Sequence, residues 1–303
     1  MSEAAAPDIF DIEAVWPKPR RFLVTLSFAL TLYGLFWLGW HFFAVDTMIP
    51  GVLFVGSFAV PMSATVLFSE FNIRRNVPLR DVVLIVLLGG VLSLILAVAL
   101  LYFDNSVFSI LSVPEDWHDC MRAPIEEISK VVVALAVARK VSYRYVLNGL
   151  LFGAAVGAGF ASFESAGYAL VQCLNSIASS VAGGAADAGA MLGRAVSEAE
   201  DAIVARGLLS PFSHVAWSAL ACAGLWWARC CRSRVMAFVN WRFLLLFGVA
   251  SALHMAWNAP FEPPCYSKQI MLGVIAWVAI LVVLRKGVGQ IKEEQEAILG
   301  RVS

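Results

Sequence analysis

The sequence is poor in charged residues, and the few it has are balanced in sign. Asp, Glu, Lys and Arg make up 15% of its 303 residues, and the formal net charge is zero. So low a charge content is not that of a typical soluble domain. A basic excess of the kind that binds nucleic acid is also missing, so we expect no nucleic-acid partner.

Cysteine is scarce as well. The six cysteines include no Cys-x-x-Cys pair, which argues against a thiolate zinc site and against a redox motif. A cysteine protease would need a thiol beside a histidine, and only Cys222 and Cys265 are candidates. The sequence does not determine disulfide pairing among Cys120, Cys173 and Cys265. Residues 1–17 also lack the basic start and short apolar run of a secretory signal.

Long apolar segments fill the chain instead. Hydrophobic residues make up 60% of it and the mean hydropathy is +0.78, as expected for a protein that crosses a membrane several times. A spanning helix needs about 20 mostly apolar residues. We therefore predict an all-α, polytopic membrane helix bundle. The eight predicted helices cover about 22–44, 50–70, 81–103, 119–139, 146–173, 209–229, 242–261 and 267–285.

The placement of Lys and Arg predicts the orientation of these helices. Basic residues concentrate in alternate connections, such as Arg74, Arg75 and Arg80 after the second helix, and such connections lie in the cytoplasm. Both termini are then cytoplasmic, in the cell (inner) membrane of a bacterium. The predicted organisation is a cytoplasmic segment (1–21), three membrane helices (22–118), a catalytic membrane core (119–262) with an outer connection (174–208), and a last helix with a cytoplasmic tail (263–303).

The fifth predicted helix carries a stripe of small residues. Gly149, Gly153 and Gly157 recur every four positions, a spacing that lets membrane helices approach closely. We interpret this stripe as packing, with the helix at the centre of the bundle. The connection that follows, 174–208, is rich in Ala, Gly and Ser, and the sequence leaves open whether it is an interfacial helix or a lid.

The fourth predicted helix is charged where a membrane helix should be apolar. Lys130 follows Glu126 and Glu127 within one turn, so on a helix it can pair with either carboxylate. A charge in hydrocarbon costs roughly 2.5–3.5 kcal/mol and usually faces a partner or a water-filled cavity. Adjacent helical residues point about 100° apart. One glutamate is therefore expected to serve a central cavity, and the other to be held by Lys130 or a neighbouring helix.

Three further predicted helices place polar side chains at a similar depth. Glu164, His214, His254 and Asn258 all fall in the outer half of the bilayer, within roughly two helical turns of one level. His254 and Asn258 are one turn apart and share a face. His41 and His118 fall outside this cluster, and we interpret them as structural or interfacial.

Together these residues have the composition of a hydrolytic site. A glutamate can take a proton from water and return it to a leaving amine, while His and Asn can donate to an oxyanion. Two histidines and a carboxylate, here His214, His254 and Glu164, are also a zinc ligand set that leaves a position for water. The residues leave the choice between zinc and no metal open.

At these positions the chain resembles the PrsW family of intramembrane proteases, within the superfamily of the CAAX prenyl endopeptidases and the Abi proteins. The resemblance rests on four stretches in family order: Glu126-Glu127-x-x-Lys130, Phe160-x-x-x-Glu164, His214, and His254-x-x-x-Asn258. It covers about residues 120–262. In CAAX-type relatives a histidine stands at the position of Glu164, and in many relatives Asn stands at that of Ser165.

The resemblance implies hydrolysis of peptide bonds in or beside the membrane. Glu126 would be the main catalytic carboxylate and Glu127 would assist it, with Glu164, His214, His254 and Asn258 completing the site. The expected substrate is a single-span membrane protein, such as an anti-sigma factor, cut near its outer end. The residues alone also allow a non-enzymatic sensor or binder, or a proton-coupled transporter, although the internal repeat typical of transporters is not evident.

Overall fold

The computed structural model describes residues 19–111, 114–138, 143–184, 187–229 and 234–302, and these residues form helices and short connections without a strand. The α-helices are α1 (Arg20–His41), α2 (Ile49–Phe71), α3 (Leu79–Leu84), α4 (Gly90–Leu111), α5 (His118–Val137), α6 (Val146–Ala182), α7 (Ala188–Leu209), α8 (His214–Ala228), α9 (Arg234–Phe238), α10 (Trp241–Asn258) and α11 (Ser267–Val302). A π-helical turn, Ile85–Gly89, joins α3 to α4. Most of the predicted N-terminal segment, residues 1–18, lies outside the described residues.

Six described helical segments are long and apolar enough to cross a membrane. They are Arg20–His41, Asp46–Phe71, Leu79–Tyr102, Val146–Ala182, Ala188–Ala228 and Pro264–Gly300. The other two predicted spans, 119–139 and 242–261, do form helices, namely α5 and α10. These two helices are less apolar than the six, because α5 carries several charges and α10 carries polar side chains. The eight-span count and the cytoplasmic termini stay predictions.

The connection predicted at 174–208 is helical. Helix α6 continues to Ala182, and α7 then returns along it from Ala188 to Leu209. The two helices share a small apolar core in which Ala169 and Cys173 of α6 meet Ala195 and Ala199 of α7. Small side chains allow this close contact, and α7 also packs against α2.

Helix α6 is the centre of the bundle, and its glycine stripe packs against α8. A Cβ atom on Gly153 would lie 2.0 Å from the backbone oxygen of Ser218, and one on Gly157 would lie 2.3 Å from that of His214. Only glycine allows so close an approach of two backbones. The packing interpretation of the stripe is therefore confirmed, and the stripe sets the distance between the helices that carry Glu164 and His214.

Helix α5 also packs against this part of the bundle. It packs against α10 and α4, and it also contacts α6 and α8. The π-helical turn between α3 and α4 contacts α6. There a Cβ on Gly159 of α6 would lie 1.9 Å from the backbone oxygen of Val86. These contacts bring the polar faces of α5, α6, α8 and α10 together.

Candidate active site

The structure places most of the predicted site residues around one cavity of about 560 Å³. The predicted residues that line it are Glu126, Phe160, Glu164, His214, His254 and Asn258. Glu127 and Lys130 are fully buried behind its wall. Four helices that are distant in sequence thus meet at one point.

Lys130 holds the buried side of the site together. Its Nζ lies 2.7 Å from Glu127 Oε1 and 2.8 Å from Nδ1 of His214, and it sits 4.1 Å from the centre of the Phe160 ring. An ammonium group only donates hydrogen bonds, so Nδ1 of His214 accepts and the ring proton of neutral His214 is on Nε2. Phe160 adds a cation–π contact.

Glu127 in turn orients His254. Its Oε1 lies 3.0 Å from Nδ1 of His254, and its Oε2 accepts a hydrogen bond of 3.2 Å from the hydroxyl of Ser218. A carboxylate held by Lys130 is an acceptor, so Nδ1 of His254 donates and the lone pair of neutral His254 is on Nε2. Trp217 stacks on this ring at 4.3 Å and keeps its plane in place.

Glu164 is bound by Arg206, which lies in the segment 174–208 that the sequence predicts to be an outer connection. Arg206 of α7 donates to Glu164 Oε2 at 2.5 Å and, through Nε, to the hydroxyl of Ser165 at 3.0 Å. Its guanidinium lies 4.5 Å from the centre of the Tyr168 ring. The same Glu164 oxygen is 3.1 Å from Nε2 of His214. Glu164 thus accepts from Nε2 of His214 and fixes its ring from the cavity side.

Glu126 is the carboxylate that faces the cavity. Only 13% of its side chain is exposed, and its Oε2 lies 3.7 Å from Nε2 of His254 and 3.9 Å from Nζ of Lys130. Among the described residues this buried oxygen has no hydrogen-bond partner. The two adjacent glutamates are therefore divided, with Glu127 paired to Lys130 and Glu126 directed at the cavity.

Asn258 lies at the outer edge of the cavity, one turn after His254. Its Nδ2 donates a hydrogen bond of 3.1 Å to the backbone oxygen of Asp119. This bond ties the end of α10 to the start of α5. This bond uses one N–H of the amide, and the second has no partner among the described residues, so it remains available as a donor.

The side chains that could hold a metal differ in one member from the predicted set. Ligand atoms of Glu126, His214 and His254 all lie within 4.8 Å of one another, whereas the predicted carboxylate was Glu164. Glu164 is engaged by Arg206, whose charge competes with that of a metal ion. His254 already has its Nε2 lone pair available, and His214 would have to release its Nε2 proton, for which Glu164 is the neighbouring acceptor.

The remaining candidates lie elsewhere. Cys120, Cys173, Cys222 and Cys265 are free thiols in the described part of the chain, and none of them lines the cavity. His41 contacts Glu200 of α7 at 3.0 Å, consistent with the structural role expected for it.

Comparison with known proteins agrees with this geometry. The model of the family described as PrsW family intramembrane metalloprotease matches residues 77–284, a segment that contains every predicted site residue. No curated protein and no solved structure matches the chain. The family match covers more than half of the chain, which also has several apolar helices able to cross a membrane. The chain therefore belongs to the PrsW family of intramembrane metalloproteases.

Proposed function

We propose that this protein is an endopeptidase that cuts single-span membrane proteins near the outer face of the cell membrane, with Glu126 as the general base. The observation that supports this role is that Glu126 lines the cavity while its buried Oε2 has no hydrogen-bond partner among the described residues. A buried acceptor without a donor is costly. A reacting water molecule would supply that donor.

In the proposed reaction, Glu126 takes a proton from water as the oxygen attacks the scissile carbonyl carbon. The carbonyl oxygen becomes an oxyanion, and the free N–H of Asn258 donates to it. His254 adds a second donor when Glu126 shares the proton taken from water with its Nε2, which lies 3.7 Å from Glu126 Oε2. Glu126 then returns its proton to the leaving amine as the carbon–nitrogen bond breaks.

The buried groups position these reacting groups. Lys130 offsets the charge of Glu127, and Glu127 orients His254 through Nδ1. Lys130 and Glu164 hold His214 from opposite sides of its ring, and Arg206 fixes Glu164. Glu127 with Lys130 and Glu164 with Arg206 are therefore paired charges within hydrogen-bond distance, as buried charges require, and Glu126 is the carboxylate left for the reaction.

The residues of the site also fit a metal ion, and the family is described as one of metalloproteases. Glu126, His214 and His254 would hold it, and Glu127 would orient His254 as metal-ligating histidines require. Zinc bound there would act as a Lewis acid toward water and the scissile carbonyl. With the metal bound, Nε2 of His254 would be a ligand rather than an oxyanion donor, and the proton transfers proposed above would use the carboxylate oxygen of Glu126 that does not hold the metal.

Substrate access is proposed to occur from the lipid side. Leu94, Val98 and Leu101 of α4 form one wall of the cavity, and Val98 is 60% exposed. An apolar wall open to the outside of the bundle fits a substrate helix that arrives within the bilayer. An anti-sigma factor, which the family resemblance implies, is the substrate class to test first. Eight spans with both termini in the cytoplasm would place the cavity in the outer half of the membrane.

The test is cleavage of a single-span model substrate by purified protein in detergent. Glu126→Gln keeps the shape of the side chain but removes the base, and we expect cleavage to fall by about 10²–10⁴-fold. Glu115→Gln, the same change at an exposed position before α5, should leave cleavage intact. Cleavage without any ion gradient also excludes a transporter, whereas a folded Glu126→Gln variant with full activity would refute the assignment.

A further inference from the structure

A second, smaller chamber lies against the active-site cavity. Its volume is about 170 Å³, which suits one amino-acid side chain rather than a peptide. Arg206, His214 and Trp257 line both spaces, so these three side chains form the partition between them. A peptide bound across His214 could therefore place one side chain in the chamber.

The walls of the chamber are mainly small or apolar. Ala161 comes from α6, Ala205 and Leu209 come from α7, and Tyr266 stands at the start of α11. Arg206 adds a positive charge, which disfavours a lysine or arginine side chain. A neutral occupant of moderate size fits these walls best.

Gln269 is the polar group of the chamber that has an unused bonding site. The residue is 6% exposed, and its Oε1 is buried without a hydrogen-bond partner among the described residues. Its Nε2 donates to Glu262 Oε2 at 2.8 Å. Buried polar atoms are paired in the great majority of cases, so Oε1 is expected to accept from a bound group.

Glu262 fixes which end of this amide is free. Lys268 donates to its other oxygen at 2.8 Å and also to the backbone oxygen of Ala259 at 3.0 Å. The hydrogen bond from Lys268, and then the one from Gln269, lower the pKa of the Glu262 carboxyl. An ionised carboxylate only accepts hydrogen bonds, so the amide nitrogen of Gln269 must face Glu262 and its oxygen remains available.

The backbone at the edge of the chamber is strained. Cys265 and Tyr266 both have positive φ angles, 57° and 53°, which non-glycine residues rarely adopt. Strain of this kind persists where the surrounding structure enforces it, and it is frequent at ligand-binding sites. Here it places Tyr266 beside Gln269 at the entrance to α11.

We propose that this chamber is a substrate subsite that selects a neutral side chain with a hydrogen-bond donor, of the size of Thr, Ser, Asn or Gln, at a residue next to the scissile bond. Gln269 Oε1 accepts the hydrogen bond of that side chain. Asp and Glu are disfavoured because their ionised forms offer no donor to Gln269 Oε1 and because Arg206 is already paired with Glu164. The subsite rests on the proposed protease function, which it makes more specific.

The test uses the isosteric pair Thr and Val, which differ in shape very little but of which only Thr can donate. Each position of the outer juxtamembrane segment of a single-span model substrate is made Thr or Val in turn, and kcat/KM is measured with purified protein. At one position beside the cut, we expect Thr to be preferred by about 10-fold. In Gln269→Leu this ratio should fall to about one, while Gln172→Leu, a matched change on α6, should keep it.

A second variant covers the case in which Gln269→Leu fails to fold. Ala205→Leu adds volume to the chamber from α7 and should move the preference at the same position from Thr toward Gly and Ala. A Thr to Val ratio that is the same in wild type, Gln269→Leu and Ala205→Leu at every position would overturn the subsite.

Binding separates this proposal from the protease function. The Thr and Val forms of the model substrate, made as peptides, are titrated into two proteins. These are the Glu126→Gln variant and the Glu126→Gln/Gln269→Leu double variant. If wild-type protein cuts none of the substrates, the proposed function fails. A Thr preference in binding that depends on Gln269 would still support the subsite, and equal binding of Thr and Val peptides would refute it.

Discussion

Gly157 offers the sharpest test of how helix spacing controls the site. In Gly157→Ala the added Cβ would lie 2.3 Å from the backbone oxygen of His214 and 2.9 Å from Oγ of Ser218. Ordinary contact begins near 3.4 Å, so α8 has to move by about 1 Å relative to α6, since a close-packed interior offers no other space. His214 would then shift away from Lys130 and Glu164.

The expected loss of activity is large and the loss of stability moderate. A misplacement of about 1 Å can cost roughly 10²-fold in rate, so we expect kcat/KM of Gly157→Ala to fall by about that factor. Overpacking typically costs about 1–3 kcal/mol, partly offset by about 0.5–1 kcal/mol because Ala favours the helix over Gly. Thermal unfolding in detergent would measure the second effect.

Gly167→Ala is the matched control on the same helix. A Cβ at Gly167 meets nothing within 4 Å, so this variant should keep full activity and gain slightly in stability. Equal activity of the two variants would show that α6 and α8 separate without disturbing the catalytic groups. The spacing argument would then be refuted.

Three further predictions concern the charged network. Lys130→Met leaves Glu127 as an unpaired buried charge and should cost about 3–5 kcal/mol of stability, as measured by unfolding in detergent. A Glu127→Gln/Lys130→Met double variant should recover most of this stability, and no recovery would contradict the pairing. Arg206→Leu frees Glu164 and should lower kcat about 10-fold in a folded protein, with partial rescue by Arg206→Lys; activity within two-fold of wild type would show that Arg206 is not needed. Elemental analysis of protein purified without added metal should find about one zinc per chain, and a His214→Ala/His254→Ala variant should lose it. A metal-free protein whose activity is unaffected by chelators would instead show that glutamate and histidine alone carry the proton transfers.

The sequence predicts which residues form the site better than it predicts the role of each one. Counting residues from the predicted helix ends places the glutamates, both histidines and Asn258 at one depth, and the structure brings them together around one cavity. The sequence also predicts that only one of Glu126 and Glu127 faces the cavity. It does not tell which one, because that depends on how α5 is rotated against α8 and α10.

Arg206 and Gln269 show what sequence reasoning missed. Arg206 falls in the segment 174–208, which the sequence predicts to be an outer connection because it is rich in Ala, Gly and Ser and lies between two predicted spans. In the structure this segment folds back as α7 and carries Arg206 to Glu164. Gln269 stands at the start of an apolar helix. It is distinguished by its hydrogen bond to Glu262 and by an Oε1 that has no partner in the described part of the chain. Contacts between distant segments of this kind leave no local pattern.

The weak hydropathy of α5 and α10 has a consequence for how the protein is made. Neither helix is among the segments apolar enough to cross a membrane unaided, and each packs against the other. During synthesis α5 emerges long before Trp241 begins α10, so Glu127 lacks its contact with His254 while the residues between them are made. If α5 spans the membrane as predicted, its stable insertion waits for this partner or depends on the insertion machinery to shelter its charges. The active site would then be complete only once α10 has joined α5, with α11 still to follow, and a chain that ends before α10 would carry no proteolytic activity into the membrane.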